Sequence, residues 1–126
     1  MLGTYSSSAG YADRYYDQAA KIRTLIINDF NQAFKQVDLL LAPVSPTPPF
    51  KLGAKTNSPL QMYLSDALTI PINLAGIPAL SLPCGFINKL PIGMQLIGPR
   101  WSEPALFSVG KKYQTITDWH TRKPKL

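Results

Sequence analysis

The apolar residues of the chain recur with helical spacing in some segments and form short continuous runs in others. Between Tyr11 and Lys35 they recur at steps of three or four, which predicts one long amphipathic helix. The segment before it, "SSSAG", offers several possible N-caps, and Asp13 and Asp17 favour the first turns through the helix dipole. The apolar stripe consists of Tyr15, Ala19, Ile22, Ile26, Phe30 and Ala33.

Three continuous apolar runs predict strands. The first, "VDLLLAP", is closed by a proline and is typical of a strand buried on both faces. "ALSLPCGF" and "PIGMQLIGP" predict two more strands, joined by "INKL", a loop of hairpin length. The proline-rich segment "VSPTPPFKLGAKTNSP" predicts a rigid connecting loop, with proline-rich peptide recognition as the alternative.

Helices are predicted on both sides of this pair of strands. "PLQMYLSDALTI" has Ser58 as a cap and Pro59 as its first residue, and should end near Thr69 or Ile70 because Pro71 disfavours helical geometry before it. "INLAGIP" predicts a second short helix or turn. Gly76 is expected to end this short helix. "EPALFSVGKKYQTITDW" predicts the last helix, with Ser102 as its N-cap. Its apolar positions are Leu106, Val109, Tyr113 and Ile116. The order of elements is an α/β pattern.

Composition places the chain among folded globular proteins. It has 126 residues, enough for one domain, with 45% hydrophobic and 16% charged residues. The net charge of +6 is only weakly clustered. The densest basic run is the tail at 120–126, which suits a solvated terminus or, alternatively, contact with nucleic acid.

Counting argues against several kinds of site. A single cysteine, Cys84, allows no intrachain disulfide and fits a reducing compartment, and we interpret it as a small buried residue rather than a nucleophile. A single histidine, His120, argues against a His/Cys metal site, and we expect it on the surface. Residues 67–84 are uncharged, but their prolines argue against a membrane span, and the N-terminus lacks signal-peptide features.

One carboxylate, Asp66, interrupts the otherwise uncharged stretch from Tyr63 to Phe86. Desolvating a charge costs several kcal/mol, roughly, so a carboxylate in an apolar element needs a partner or exposure. Three interpretations stay open on the residues alone: an exposed position on the helix, a structural cap or ion pair, and a group that binds a ligand.

Five segments, in order and over the whole chain, resemble the C-terminal part of the amidase signature family. They are "MLGTYSSSAGYADRYYDQAAKIRTLI", "DLLLAPVSPTPPFKLG", "PLQMYLSDALTIPINLAGIPALSLPCGF", "LPIGMQLIGP" and "DWHTRKPKL". More narrowly, they are similar to the glutaminase subunits, known as A subunits, of glutamyl-tRNA(Gln) amidotransferases. The resemblance implies that residues 1–126 are a single partial α/β domain, with a mixed β-sheet flanked by helices and a basic tail at 120–126.

The resemblance also implies an activity. The glutaminase subunit releases ammonia from glutamine, in a heterotrimer with the B and C subunits that converts Glu-tRNA(Gln) to Gln-tRNA(Gln). In the family a serine attacks the amide, assisted by a second serine and a lysine. ATP and magnesium are used by the B subunit. We therefore expect no cofactor or metal on this chain, contact with tRNA only through the complex, no membrane, and a cytoplasmic location, or an organelle matrix in a eukaryote.

The chain departs from the family pattern in its chemistry. Nothing in it resembles the Gly/Ser-rich segment and the lysine that carry catalysis, so we expect no catalytic residue and no activity from this fragment alone. The arginine that binds the substrate carboxylate would precede Met1. Asp66, in "MYLSDALTIP", matches the aspartate that contacts the α-amino group of glutamine, and Thr69 to Pro71 are expected to be pocket wall only.

Two other functions are alternatives. A general amidase of the same family would act on a neutral amide, for which a carboxylate facing the substrate has no cationic partner. A small stand-alone basic module would bind RNA through Lys111, Lys112 and the tail, in a salt-dependent manner.

Overall fold

A computed structural model describes residues 16–124, in which three antiparallel strands form one sheet in the order β1-β3-β2. The α/β class expected from the sequence is confirmed. All pairings in the described part are antiparallel, so the mixed sheet expected for the whole domain would need strands beyond these three. The elements are α1 (Asp17–Ala33), β1 (Leu40–Pro43), α2 (Pro59–Ser65), α3 (Ile70–Ala75), β2 (Ala79–Ile87), β3 (Leu90–Ile97) and α4 (Glu103–Ile116).

Helix α1 is the amphipathic helix that the apolar spacing predicts. Its second half turns Ile26, Phe30 and Ala33 inward, where they are half-buried, whereas Ile22 stays 58% exposed. The predicted start at Tyr11, and with it the caps of "SSSAG", lies outside the described residues. A hydrogen bond joins the helix to α3: Arg23 Nε donates to the carbonyl oxygen of Leu74 at 2.7 Å.

The hairpin of β2 and β3 forms as predicted. Its two turn residues, Asn88 and Lys89, both have positive φ, 50° and 66°, which is the geometry of a type I′ turn. The pairing shifts register between Pro83 and Gly85, so Cys84 is the extra residue of a β-bulge.

Strand β1 differs from the prediction of a strand buried on both faces. It begins at Leu40 and pairs only with β3 in the described part of the chain. Its residues alternate between half-buried and exposed, and Leu41 is 66% exposed. The continuous apolar run therefore marks a sheet edge that is open within residues 16–124.

The boundary between α2 and α3 also differs from the prediction. Ser58 caps α2 as expected, accepting from the backbone N–H of Gln61 at 3.4 Å, but the helix ends at Ser65 rather than near Thr69. A turn follows, and Pro71 then lies in the first turn of α3, where a helix needs no amide donor. The proline thus marks the start of α3. Gly76 ends α3 at φ 65°, as predicted.

The main core lies between the sheet and α4. Leu82, Leu96 and Leu106 are its buried residues. Partly buried residues packed against this core are Leu39, Leu80, Met94 and Tyr113.

Ser102 does not cap α4 with its side chain, contrary to the prediction, because its hydroxyl donates to the carbonyl oxygen of Pro99 at 2.6 Å. Within residues 16–124 no helix combines the length and the apolar character that crossing a membrane requires.

Candidate functional site

Asp66 stands at the C-terminal end of α2, on the first residue of the turn that leads to α3. Its backbone is fully engaged. The N–H donates to the carbonyl oxygen of Tyr63 at 3.1 Å, and the Asp66 carbonyl oxygen accepts from the N–H groups of Thr69 and Ile70, both at 3.0 Å. The Thr69 hydroxyl donates to the same oxygen at 3.2 Å. The turn is therefore closed by its own hydrogen bonds, which fix the position of the Asp66 Cα atom.

The carboxylate of Asp66 is exposed, and no group in residues 16–124 pairs with it by a hydrogen bond or a salt bridge. Of the three interpretations open from the sequence, exposure is what the structure shows, and an ion pair with these residues is excluded. The location also opposes the helix dipole, since an acid at a helix C-terminus is unfavourable by about 0.3–1 kcal/mol. Within residues 16–124 no contact of this carboxylate stabilises the fold, and its binding of a ligand stays a prediction.

A second residue holds the turn from the sheet side. Gln95, in the middle of β3, is only 4% exposed, and its Nε2 donates to two carbonyl oxygens, that of Leu68 at 3.0 Å and that of Pro43 at 2.9 Å. Leu68 belongs to the turn, and Pro43 ends β1. Gln95 was not among the residues expected at a site, although a single polar residue between the apolar Met94 and Leu96 of a buried strand was a usable signal.

A cavity of about 450 Å³ lies beside the turn and is lined by both neighbours of Asp66, Ser65 and Ala67, but not by Asp66 itself. Lys55 from the proline-rich loop reaches into the same region, where its Nζ donates to the hydroxyls of Ser65 at 2.7 Å and Thr47 at 3.3 Å. The Lys55 ammonium also lies 3.9 Å from the centre of the Phe50 ring. The lining residues are Pro46, Thr47, Lys55, Gln61, Leu64, Ser65 and Ala67.

The expected pocket wall, Thr69 to Pro71, does not belong to this lining. Thr69 and Pro71 are half-buried and lie at the start of α3. Their assignment to a substrate pocket stays a prediction. The cavity is instead bounded by the last turn of α2 and by the proline-rich loop, so this loop forms a cavity wall and is not a connector alone.

The other residues singled out in the sequence lie apart from the turn. Cys84 is half-buried at the bulge, where its Sγ is 3.7 Å from the carbonyl oxygen of Ile92. His120 is exposed. Across the residues that the structure describes, no three His, Cys, Asp or Glu side chains come together as metal ligands.

The start of the basic tail is held against the protein. Arg122 forms a 2.9 Å salt bridge with Asp118 and lies over the ring of Trp119, 4.3 Å from its centre. The Trp119 ring in turn contacts Phe86 of β2, with ring centres 6.2 Å apart. The first charge of this tail is therefore partly neutralised by a neighbour.

Comparisons with known proteins agree with the fold. The chain is 60% identical over 126 residues to the A subunit of the glutamyl-tRNA(Gln) amidotransferase of Chloroflexus aggregans, covering all of this chain and 26% of that protein. The crystal structure of the corresponding A subunit of Thermotoga maritima superimposes with a TM-score of 0.73 at 45% identity, over 85% of this chain and 24% of the other. Allophanate hydrolase of Kluyveromyces lactis superimposes with a TM-score of 0.71 at 29% identity, over 91% and 18%.

These comparisons also bound what the chain represents. It spans about a quarter of the length of the curated relatives that it matches. The family model described as Amidase matches residues 1–107, which is most of the chain. The chain therefore belongs to the amidase family.

Proposed function

We propose that this chain is a part of the glutaminase subunit of a glutamyl-tRNA(Gln) amidotransferase and that Asp66 binds the α-ammonium group of glutamine. The observation that carries the proposal is the Asp66 carboxylate itself, exposed and unpaired within residues 16–124 on a turn whose backbone is fully bonded. The similarity to amidotransferase subunits of that kind, at 60% identity over the whole chain, supports the substrate.

A carboxylate in this position suits a primary ammonium group. Such a group has three N–H donors, and a charge-assisted hydrogen bond to a carboxylate oxygen is about 2.7–2.9 Å long and about twice as strong as a neutral one. A ligand cation also relieves the unfavourable placement of Asp66 at a helix C-terminus. A neutral amide offers neither benefit, which is why glutamine is preferred here to the substrate of a general amidase.

The chain contributes binding rather than bond breaking in this proposal. The serine nucleophile, its partner serine and the lysine are assigned to the portion of the glutaminase that this sequence does not contain. Glutamine would lose ammonia there, and water would complete the hydrolysis to glutamate. We assign ATP and magnesium to the B subunit, contact with tRNA to the assembled complex of the three subunits, and the complex to the cytoplasm or an organelle matrix.

The proposal is tested with a hybrid glutaminase. In it, the part of the Chloroflexus aggregans protein that precedes the matched region is fused to residues 1–126 of this chain and is produced with the B and C subunits. We expect ammonia release from glutamine by the hybrid, and little release from acetamide at the same concentration. Equal release from both amides would favour the general amidase. An inactive hybrid, beside an active Chloroflexus complex, would contradict the proposed function.

A further inference from the structure

We propose that Gln95 is a positioning residue for glutamine binding, which holds the Asp66 turn at a fixed place on the sheet. The inference rests on the proposed function, because it acts through Asp66. Gln95 itself is too deeply buried to meet a ligand, being 4% exposed, and both of its side-chain N–H donors are already used on backbone carbonyls.

The position of Gln95 in the sheet makes it a rigid anchor. It lies in the central strand and pairs with Ala42 of β1 on one side and Ser81 of β2 on the other. Because side chains alternate along a strand, Gln95 points away from the face on which Met94 and Leu96 join the core with α4. The Asp66 turn is thus tied to the opposite face of the sheet from α4.

The hydrogen bond to Leu68 reaches Asp66 through a short, closed path. Leu68 lies two residues after Asp66, inside the turn that is closed by the bonds from Thr69 and Ile70 to the Asp66 carbonyl. Moving the Leu68 carbonyl would therefore move the Cα of Asp66 with it. The second bond, to Pro43, ties the same amide to the end of β1, where the proline-rich loop begins, so one side chain sets the turn and the loop beside the cavity.

The chemistry of an amide is required at this point. Two carbonyl oxygens need two donors on one atom, which the Nε2 of glutamine supplies. Leucine would leave both oxygens without this partner, and glutamate, of equal shape, would place oxygen against oxygen. An unsatisfied buried acceptor is costly, so either replacement should let the turn shift toward water.

The kinetic test uses the hybrid glutaminase in its complex with the B and C subunits. We expect Gln95→Leu to raise the KM for glutamine about tenfold with a change in kcat below about twofold, because Gln95 acts on binding through Asp66. In an Asp66→Asn background the same change should raise the KM by less than about twofold, since neighbours in one path are not additive. Gln95→Asn, a milder change that retracts the amide by one methylene, should lie between wild type and Gln95→Leu.

The control is Leu96→Val, the adjacent residue on the same strand with its side chain in the α4 core. It should lower the melting temperature and leave the KM for glutamine unchanged. A rise in KM for Leu96→Val equal to that for Gln95→Leu would show a merely structural effect and overturn the proposal. Fully multiplicative effects of Gln95→Leu and Asp66→Asn would overturn it as well.

A second measurement does not need activity. In hydrogen exchange on the hybrid glutaminase, Gln95→Leu or Gln95→Asn should speed exchange of the amides of Thr69 and Ile70 several-fold and leave α4 unchanged. Unchanged protection of these two amides would refute the anchoring role. If the unmodified hybrid does not hydrolyse glutamine while this exchange effect is present, the proposed function fails and the anchoring of the turn stands.

Discussion

Gly110 of α4 lies directly against Leu80 of β2, so closely that a Cβ atom at position 110 would stand 2.6 Å from Leu80 Cδ2. The absence of a side chain at this point lets the helix approach the sheet that carries the site. Gly110 is buried, and the neighbouring Leu82 Cδ1 would be 3.3 Å from the same added atom. The packing of α4 on the sheet thus depends on a glycine inside a helix, where glycine is otherwise unfavourable.

Gly110→Ala is predicted to destabilise the hybrid glutaminase. Overpacking a core costs about 1–3 kcal/mol, whereas the better helix propensity of alanine returns about 1 kcal/mol, so the net loss should be about 1 kcal/mol. Thermal unfolding followed by circular dichroism measures it. In a Leu80→Ala background the 2.6 Å clash is absent and only the milder 3.3 Å contact with Leu82 remains, so Gly110→Ala should destabilise clearly less than it does beside Leu80. An equal loss in both backgrounds would show that contact with Leu80 is not the cause.

Lys89→Gly is predicted to stabilise the β2–β3 hairpin. Lys89 has φ 66°, a left-handed conformation that costs a residue with a Cβ about 1–2 kcal/mol, and the preceding Asn88 tolerates this region better. After the larger entropy of glycine in the unfolded chain is subtracted, a gain of about 0.5–1 kcal/mol remains. Chemical denaturation of the hybrid glutaminase measures this gain. Lys89→Ala removes the same charge but keeps the Cβ, so an equal gain from alanine would assign the effect to charge instead.

The order of elements and the hairpin were predictable from the sequence because they follow local rules. Helical spacing placed α1, and the capping residues Ser58 and Gly76 marked the start of α2 and the end of α3. The boundary between those helices was not predictable from Pro71, because a proline serves equally well in the first turn of a new helix. The exposure of Leu41 was not predictable either. A continuous apolar run indicates that a strand is covered, but it does not show whether the covering residues lie within these 126 residues.

Part of the candidate site was likewise predictable from the sequence, and part was not. Asp66 stood out in the sequence because it is the sole charge in a long uncharged stretch, and the family resemblance gave it a partner. Gln95 could not be connected to it, because its bonds to Leu68 and Pro43 span 27 and 52 residues of sequence. Such contacts depend on the strand order, which the apolar pattern does not encode. Lys55 was hidden for the same reason inside a loop that we interpreted as a connector.

Asp66→Asn is the change that bears most directly on the proposed function. It preserves the shape of the side chain and removes the charge, so the ammonium group of glutamine loses a charge-assisted hydrogen bond of about 1.5–3 kcal/mol, or about ten- to a hundredfold in affinity. The control is Asp29→Asn, which removes another exposed carboxylate, on α1. It should leave the kinetics unchanged.

The decisive measurement is the KM of the hybrid glutaminase, in complex with the B and C subunits, with and without Asp66→Asn. The KM is measured for glutamine and for glutaramate, which is glutamine without the α-amino group. We predict that Asp66→Asn raises the KM for glutamine at least about tenfold and leaves that for glutaramate nearly unchanged. An unchanged KM for glutamine, or an equal rise for both substrates, would contradict the assignment of Asp66 to the α-ammonium group.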